Sequence, residues 1–185
     1  MLRSQFCEIS GVEVPTFNTH RRNGALPFDI AKYELPDVRG RMWVRYNIAA
    51  AARMIAAAHL AASQGVTWSQ ACEILRADSI GCGDGFQRPY EVPGIHVARA
   101  EFRSKFGDAP FHWNGPFRVY EGKIDAIGAA VAADVHGYNA RPNVEPVEAV
   151  SLVSVNLSRA YQIAYARAEA LGIALDDEGQ PEADT

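Results

Sequence analysis

Two glycine stops, Gly11 and Gly24, frame a short segment whose outward positions are almost all polar or cationic. Val14 to Asn23 reads as a helix with Pro15 in its first turn, where a missing N–H costs nothing. Phe17 is its inward anchor, while Asn18, Thr19, Arg21 and Arg22 fall on more exposed faces. Gly24 closes the helix and Pro27 prevents its resumption. A helix this short and this polar has to be presented by a rigid partner, so the neighbouring segments decide what it is for.

Those neighbours supply one. Residues 2–10 place Leu2, Phe6 and Ile9 at helical spacing, and Gly11 is a left-handed stop. After Pro27, Ile30–Leu35 and Arg41–Tyr46 read as two short strands around a Pro36–Gly40 turn. The second strand alternates Met42, Val44 and Tyr46 with Arg41, Trp43 and Arg45, one face mainly aliphatic and the other cationic with one aromatic. Asn47 suits the N-cap of a long helix ending near Gln64-Gly65. Thr67 and Gln70 form a capping-box pattern for a helix over Trp68–Arg76, with Trp68, Ala71, Ile74 and Leu75 as its buried stripe.

Taken in order, Gly11-Val12-Glu13-Val14, Thr16-Phe17, Arg22-Asn23-Gly24-Ala25-Leu26-Pro27, Arg39-Gly40-Arg41 and Arg45-Tyr46 resemble the MerR-type winged helix-turn-helix, found in MerR-like regulators and phage excisionases. Gln64-Gly65-Val66-Thr67-Trp68 stands at the junction of that family's following helix pair. The resemblance spans roughly the first 75 residues. It implies a DNA-reading second helix carrying Pro15, Thr16, Asn18, Thr19, His20, Arg21 and Arg22. It also implies a wing bearing Arg39, Arg41, Arg45 and Tyr46 against the backbone or minor groove. The chemistry agrees: Asn pairs bidentately with adenine and Arg with guanine, and threonine hydroxyls suit phosphate oxygens. The chain departs from the family at Pro15 and Asn18, where arginines are common, and at Thr19 and His20, where aromatics are. It also lacks sensor cysteines and a sustained heptad run after the domain. A phage or mobile-element regulator therefore fits better than a metal-responsive one.

The remainder is less legible. Ala77–Pro93 is rich in glycine and proline and reads as a linker. Its Gly81–Gly85 run lacks the ending of a phosphate-binding loop. Phe111–Tyr120 suggests a hairpin about Asn114-Gly115, Lys123–Tyr138 a helix, Asn139–Pro146 a loop, Val150–Leu157 a strand and Ser158–Leu171 a helix. The expected fold class is α+β, an N-terminal winged helix-turn-helix (1–76), a linker (77–94), a small α/β domain for dimerisation or effector binding (95–175) and an acidic, disordered tail (176–185). Residues 1–76 hold nine Lys/Arg against six Asp/Glu, and residues 77–185 nine against sixteen, so an overall charge of −4 hides a basic N-terminal part.

Cys82, Asp84, His96, His112 and His136 match no metal-ligand spacing, and no nucleophile has an oxyanion-forming context. No cofactor, metal or catalysis is expected. Three scattered cysteines, no signal peptide and no long apolar run point to a cytoplasmic protein without a membrane span. The leading expectation is a sequence-specific double-stranded DNA-binding transcriptional regulator, a homodimer that contacts another transcription protein through its C-terminal part. An architectural DNA-binding protein (excisionase or packaging factor) is the first alternative. A small ligand-binding protein or enzyme built on residues 95–171 is the second.

Overall fold

The computed structural model describes residues 1–36, 42–76, 93–105 and 117–175. Helix α1 (Arg3–Ser10) and helix α2 (Val14–Arg22) open the chain, followed by a 3-10 turn (Ile30–Tyr33) and a two-stranded antiparallel sheet of β1 (Glu34–Pro36) and β2 (Met42–Val44). Helices α3 (Ile48–Ser63) and α4 (Trp68–Arg76) come next. The second half contributes β3 (Ile95–Ser104), β4 (Phe117–Lys123), α5 (Ile124–Asn139), β5 (Val147–Asn156) and α6 (Leu157–Ala170). The class is mixed α+β.

Both glycine stops act as the spacing requires. At the end of α1, Gly11 sits at φ +72° and donates to Glu8 O (3.3 Å), while Val12 donates to Cys7 O (3.0 Å). Gly24 repeats the arrangement after α2 at φ +63°, with Gly24 N on Arg21 O (3.1 Å) and Ala25 N on His20 O (2.8 Å). These paired bonds satisfy carbonyls that a helix end leaves open, and they need a left-handed residue that only glycine adopts without strain. Asn47 Oδ1 accepts from Ala50 N at 2.9 Å to start α3, and Gln70 Oε1 accepts from Thr67 N at 2.8 Å to start α4, so both expected caps form.

Two elements depart from expectation. Ile30–Tyr33 is a 3-10 turn where a strand was expected, because Asp29 Oδ1 accepts from Ala31 N (3.0 Å) and draws the backbone into a turn. The pairing persists one step beyond β2, with Arg45 N on Tyr33 O at 2.9 Å. In the second half, the partner strand of β4 is Ile95–Ser104, a long strand absent from the sequence reading. The expected Asn114-Gly115 turn and the 77–92 stretch lie outside the described residues.

The three-stranded antiparallel sheet has the order β4-β3-β5. Strands β4 and β5 therefore run parallel, joined through α5, with β3 inserted between them. Ala98, Ala100 and Phe102 of β3 face α5 in a core with Ile127, Val131 and Tyr138. On the opposite face Val97 joins Val155 and the helices α3 and α6. Arg118 Nη1 (2.7 Å) and Tyr120 Oη (2.6 Å) both donate to Asp134 Oδ2, tying α5 to β4. Burial pushes that carboxyl up, but the two hydrogen bonds and the guanidinium charge outweigh it and hold it below the usual carboxylate range.

The main core does not stop at residue 76. Phe6, Ile9, Phe17, Tyr46, Met54, Leu60, Ile74 and Leu75 share one buried cluster with Leu157, Ala160, Tyr161, Ala164 and Ala168. Ala160, Ala164 and Ala168 recur every fourth residue, which puts them on one face of α6, the spacing of a helix that packs backbone-close. The alanine-rich α3 is that partner and also touches α1, α4 and β5, which is why it is apolar nearly all round. Arg167 of α6 reaches further and donates from Nη1 to Ile9 O (2.9 Å) at the end of α1. No described helix is long and apolar enough to cross a membrane.

Two stability outcomes follow from this packing. A Cβ at position 11 would come within 2.8 Å of Arg167 Nη1, whereas one at position 24 meets nothing within 4 Å. Gly24→Ala should lower unfolding free energy by about 1 kcal/mol through backbone strain alone, and Gly11→Ala by more, because the Arg167 contact is displaced as well. Ala164→Leu should destabilise by about 1–3 kcal/mol through overpacking at the α3–α6 contact. Denaturant titration of the three variants checks both, and equal losses at positions 11 and 24 would count against the Arg167 contact.

Candidate nucleic-acid interface

Helix α2 is held from behind by aromatic packing. Phe17 is fully buried, with its ring edge-on to Phe6 (5.2 Å between centroids) and to Tyr46 (5.5 Å). Phe6 stacks on Tyr46 at 4.3 Å and meets Phe28 edge-on at 6.0 Å. One ring from α1 thus contacts one from α2, one from the connector and one from the chain leaving β2. Met1 and Tyr46 add a mutual backbone pair, Met1 N on Tyr46 O (2.6 Å) and Tyr46 N on Met1 O (3.1 Å).

The C-terminal end of α2 is gripped by α4. Trp68 Nε1 donates to Ala25 O at 2.8 Å, Cys72 Sγ lies 3.4 Å from the same carbonyl, and Arg76 donates to both Gly24 O and Leu26 O. The Trp68 indole also stacks on the His20 imidazole, 4.3 Å between centroids at 20°. Every carbonyl from Gly24 to Leu26 therefore has an α4 partner. Burial raises the Cys72 thiol to about 11 against the opposing charge of Arg76, and burial also raises Cys7, so both are packing groups with little thiolate character.

With its back and end secured, α2 leaves its other faces open. Pro15, Thr16, Thr19, Arg21 and Arg22 are exposed and Asn18 is half-buried. The Thr19 hydroxyl donates to Pro15 O at 3.0 Å, leaving its oxygen as an acceptor. Asn18, Arg21 and Arg22 line a groove of about 310 Å³ together with Arg3 of α1, whose Nη1 donates to Asn18 Oδ1 at 3.2 Å. A second groove of about 430 Å³ shares Arg3 and Arg21 and continues past Leu2, Ser4 and Val14 to Val44. Arg3 was not among the expected site residues. Its only sequence signal is a cation in the first turn of the supporting helix.

The remaining expected residues divide. Arg45 is exposed beside β2. Arg39 and Arg41 lie outside the described residues. Tyr46, expected on the wing, is 1% exposed between Phe6 and Phe17, so its ring is part of the core, while the residue also lines the second groove. His20 is half-buried and stacks on Trp68, which makes it part of the α2–α4 contact.

Elsewhere, a cavity of about 490 Å³ between α5 and β5 is lined mainly by Gly128, Val131, Ala132, Val135 and Val147. His136, Glu148 and Lys105 also line it. Among the described residues no three His, Cys, Asp or Glu side chains gather as metal ligands, and Cys82, Asp84 and His112 fall outside that set. No family model matches the chain, and no curated protein sequence matches it significantly.

The His20–Trp68 contact has a pH signature. Burial lowers the His20 pKa below its ordinary 6.5, so the folded state favours the neutral ring. Its contribution to stability is present above the unfolded value and is lost as pH falls through 6.5 toward the folded pKa. Melting temperature followed from pH 7.5 to 5 should fall less in His20→Gln than in the parent, and parallel curves would show that His20 titrates alike in both states.

Proposed function

We propose that the protein binds double-stranded DNA sequence-specifically and regulates transcription, with α2 entering the major groove. The observation that carries this reading is the mounting of α2. A short helix is locked along its back by Phe17 and at its end by α4, and its free side offers Asn18, Arg21 and Arg22 beside Arg3. An α-helix with its side chains is about 10–12 Å across and the major groove about 12 Å wide. Rigid mounting matters because base readout requires donors to keep their positions when the ligand arrives.

The element order, two helices, a hairpin and two more helices, supports a winged helix-turn-helix reading of residues 1–76. Arg45 on the hairpin side supplies charge for the DNA backbone. A homodimer on a dyad-symmetric site completes the proposal, with the second half of the chain providing self-association or contact with a further transcription protein.

Selection of bound sequences from random duplex DNA, read together with footprint length, tests the reading. A defined motif under a compact, symmetric footprint supports a regulator, and a long cooperative footprint without a motif supports an architectural protein instead. Arg21→Ala and Arg22→Ala should each flatten the slope of log K against log salt by about one unit, since each phosphate contact releases about one counterion. Unchanged slopes in both variants would remove α2 from the interface.

A further inference from the structure

The α2 groove has a chemical bias that its residue names conceal. Its side chains are Arg3, Asn18, Arg21 and Arg22. Three of these are guanidinium groups, which only donate hydrogen bonds. The fourth, Asn18, is the one side chain among the described lining residues with an acceptor oxygen, and a hydrogen bond from Arg3 Nη1 at 3.2 Å occupies one of its two lone pairs and turns it toward α1. Asparagine reads adenine by using both ends of its amide, accepting from N6 and donating to N7. With Oδ1 turned to the guanidinium of Arg3, the amide is oriented by α1, and what remains on offer is chiefly its NH2.

We infer that Arg3 is a positioning residue that makes the groove a reader of acceptors, so that the base pair facing Asn18 is preferred as guanine over adenine. Guanine presents O6 and N7, both acceptors, in the major groove, while adenine pairs an acceptor with a donor. The Asn18 NH2 meets two acceptors on guanine, whereas on adenine it meets N7 alone and the N6 amino group is set against a donor. Phosphate oxygens, likewise acceptors, suit Arg21 and Arg22 on the same wall. The inference rests on the DNA-binding reading above and gives it a specific base preference.

The test is a selection from random duplex DNA with the parent protein, Asn18→Ala, Arg3→Ala and Arg22→Ala, followed by affinities for matched duplexes that differ by guanine or adenine at one position. The parent should favour guanine at a position whose preference is lost in Asn18→Ala, by roughly tenfold. Arg3→Ala frees Oδ1 and should shift that same position toward adenine, with the guanine-to-adenine ratio falling several-fold. Arg22→Ala removes a groove charge without touching Asn18, so it should weaken all duplexes alike and leave the ratio unchanged. Thermal melting verifies that each variant is folded, and Arg3 and Arg22 are both exposed. A parent preference for adenine at the Asn18-dependent position, or a ratio unmoved by Arg3→Ala, overturns the inference while DNA binding itself stands. A parent that binds no duplex at low salt overturns both.

Discussion

The ring of Phe6 is where the N-terminal half is joined. It stacks on Tyr46 and meets Phe17 and Phe28 edge-on, so that α1, α2, the connector and the exit from the hairpin all converge on one side chain. Each such aromatic pair contributes about 0.5–1.5 kcal/mol beyond the area it buries. The geometric consequence matters more than the sum. With Phe17 and Tyr46 fixed on Phe6, neither α2 nor the chain leaving β2 can rotate without breaking a contact shared by the others. The polar face of α2 is outward because its only buried side chain is committed inward.

A second constraint comes from elements distant in sequence. Helix α4 binds the carbonyls of residues 24–26, and α6 sends Arg167 to the carbonyl of Ile9. The two glycine stops are thus each finished by another helix, α6 at the first and α4 at the second. Helix α3 transmits this arrangement, since its alanines let α6 approach on one side while α1 and α4 pack around it. The proposed ligand-facing helix consequently depends on a core to which the last described helix of the chain contributes. The acidic half is part of how the basic half is held.

The sheet shows the same economy. Strand β3 is buried on both faces, by α5 on one and by α4 and α6 on the other. It reads in sequence as Ile-His-Val-Ala-Arg-Ala-Glu-Phe-Arg-Ser, a run with charges at every second position from Arg99 to Arg103. Arg99 explains the disguise: it is 8% exposed, with Glu101 at 3.1 Å and its guanidinium 4.0 Å from the centre of the Phe117 ring. A central strand that buries a paired arginine resembles an exposed one to any reading based on hydrophobic periodicity.

The residues alone determine the local punctuation of this protein. Gly11 and Gly24 end helices because their positive φ is open to glycine, and Asn47, Thr67 and Gln70 start helices because their side chains reach the first free amides. Phe17 as the anchor of α2 is legible in the same way, since it is the one aromatic side chain along a largely polar helix apart from His20. These are interactions within a few residues of each other, and their stereochemistry is carried in the chain order. Tertiary structure alone decides what spans the chain. It takes Tyr46 from a wing into the core, brings Arg3 to Asn18, places α4 over the end of α2 and inserts α6 beside α3. Each depends on which surfaces become neighbours after burial, and that choice belongs to the packing of the whole core, where no short segment holds enough apolar area to settle it alone.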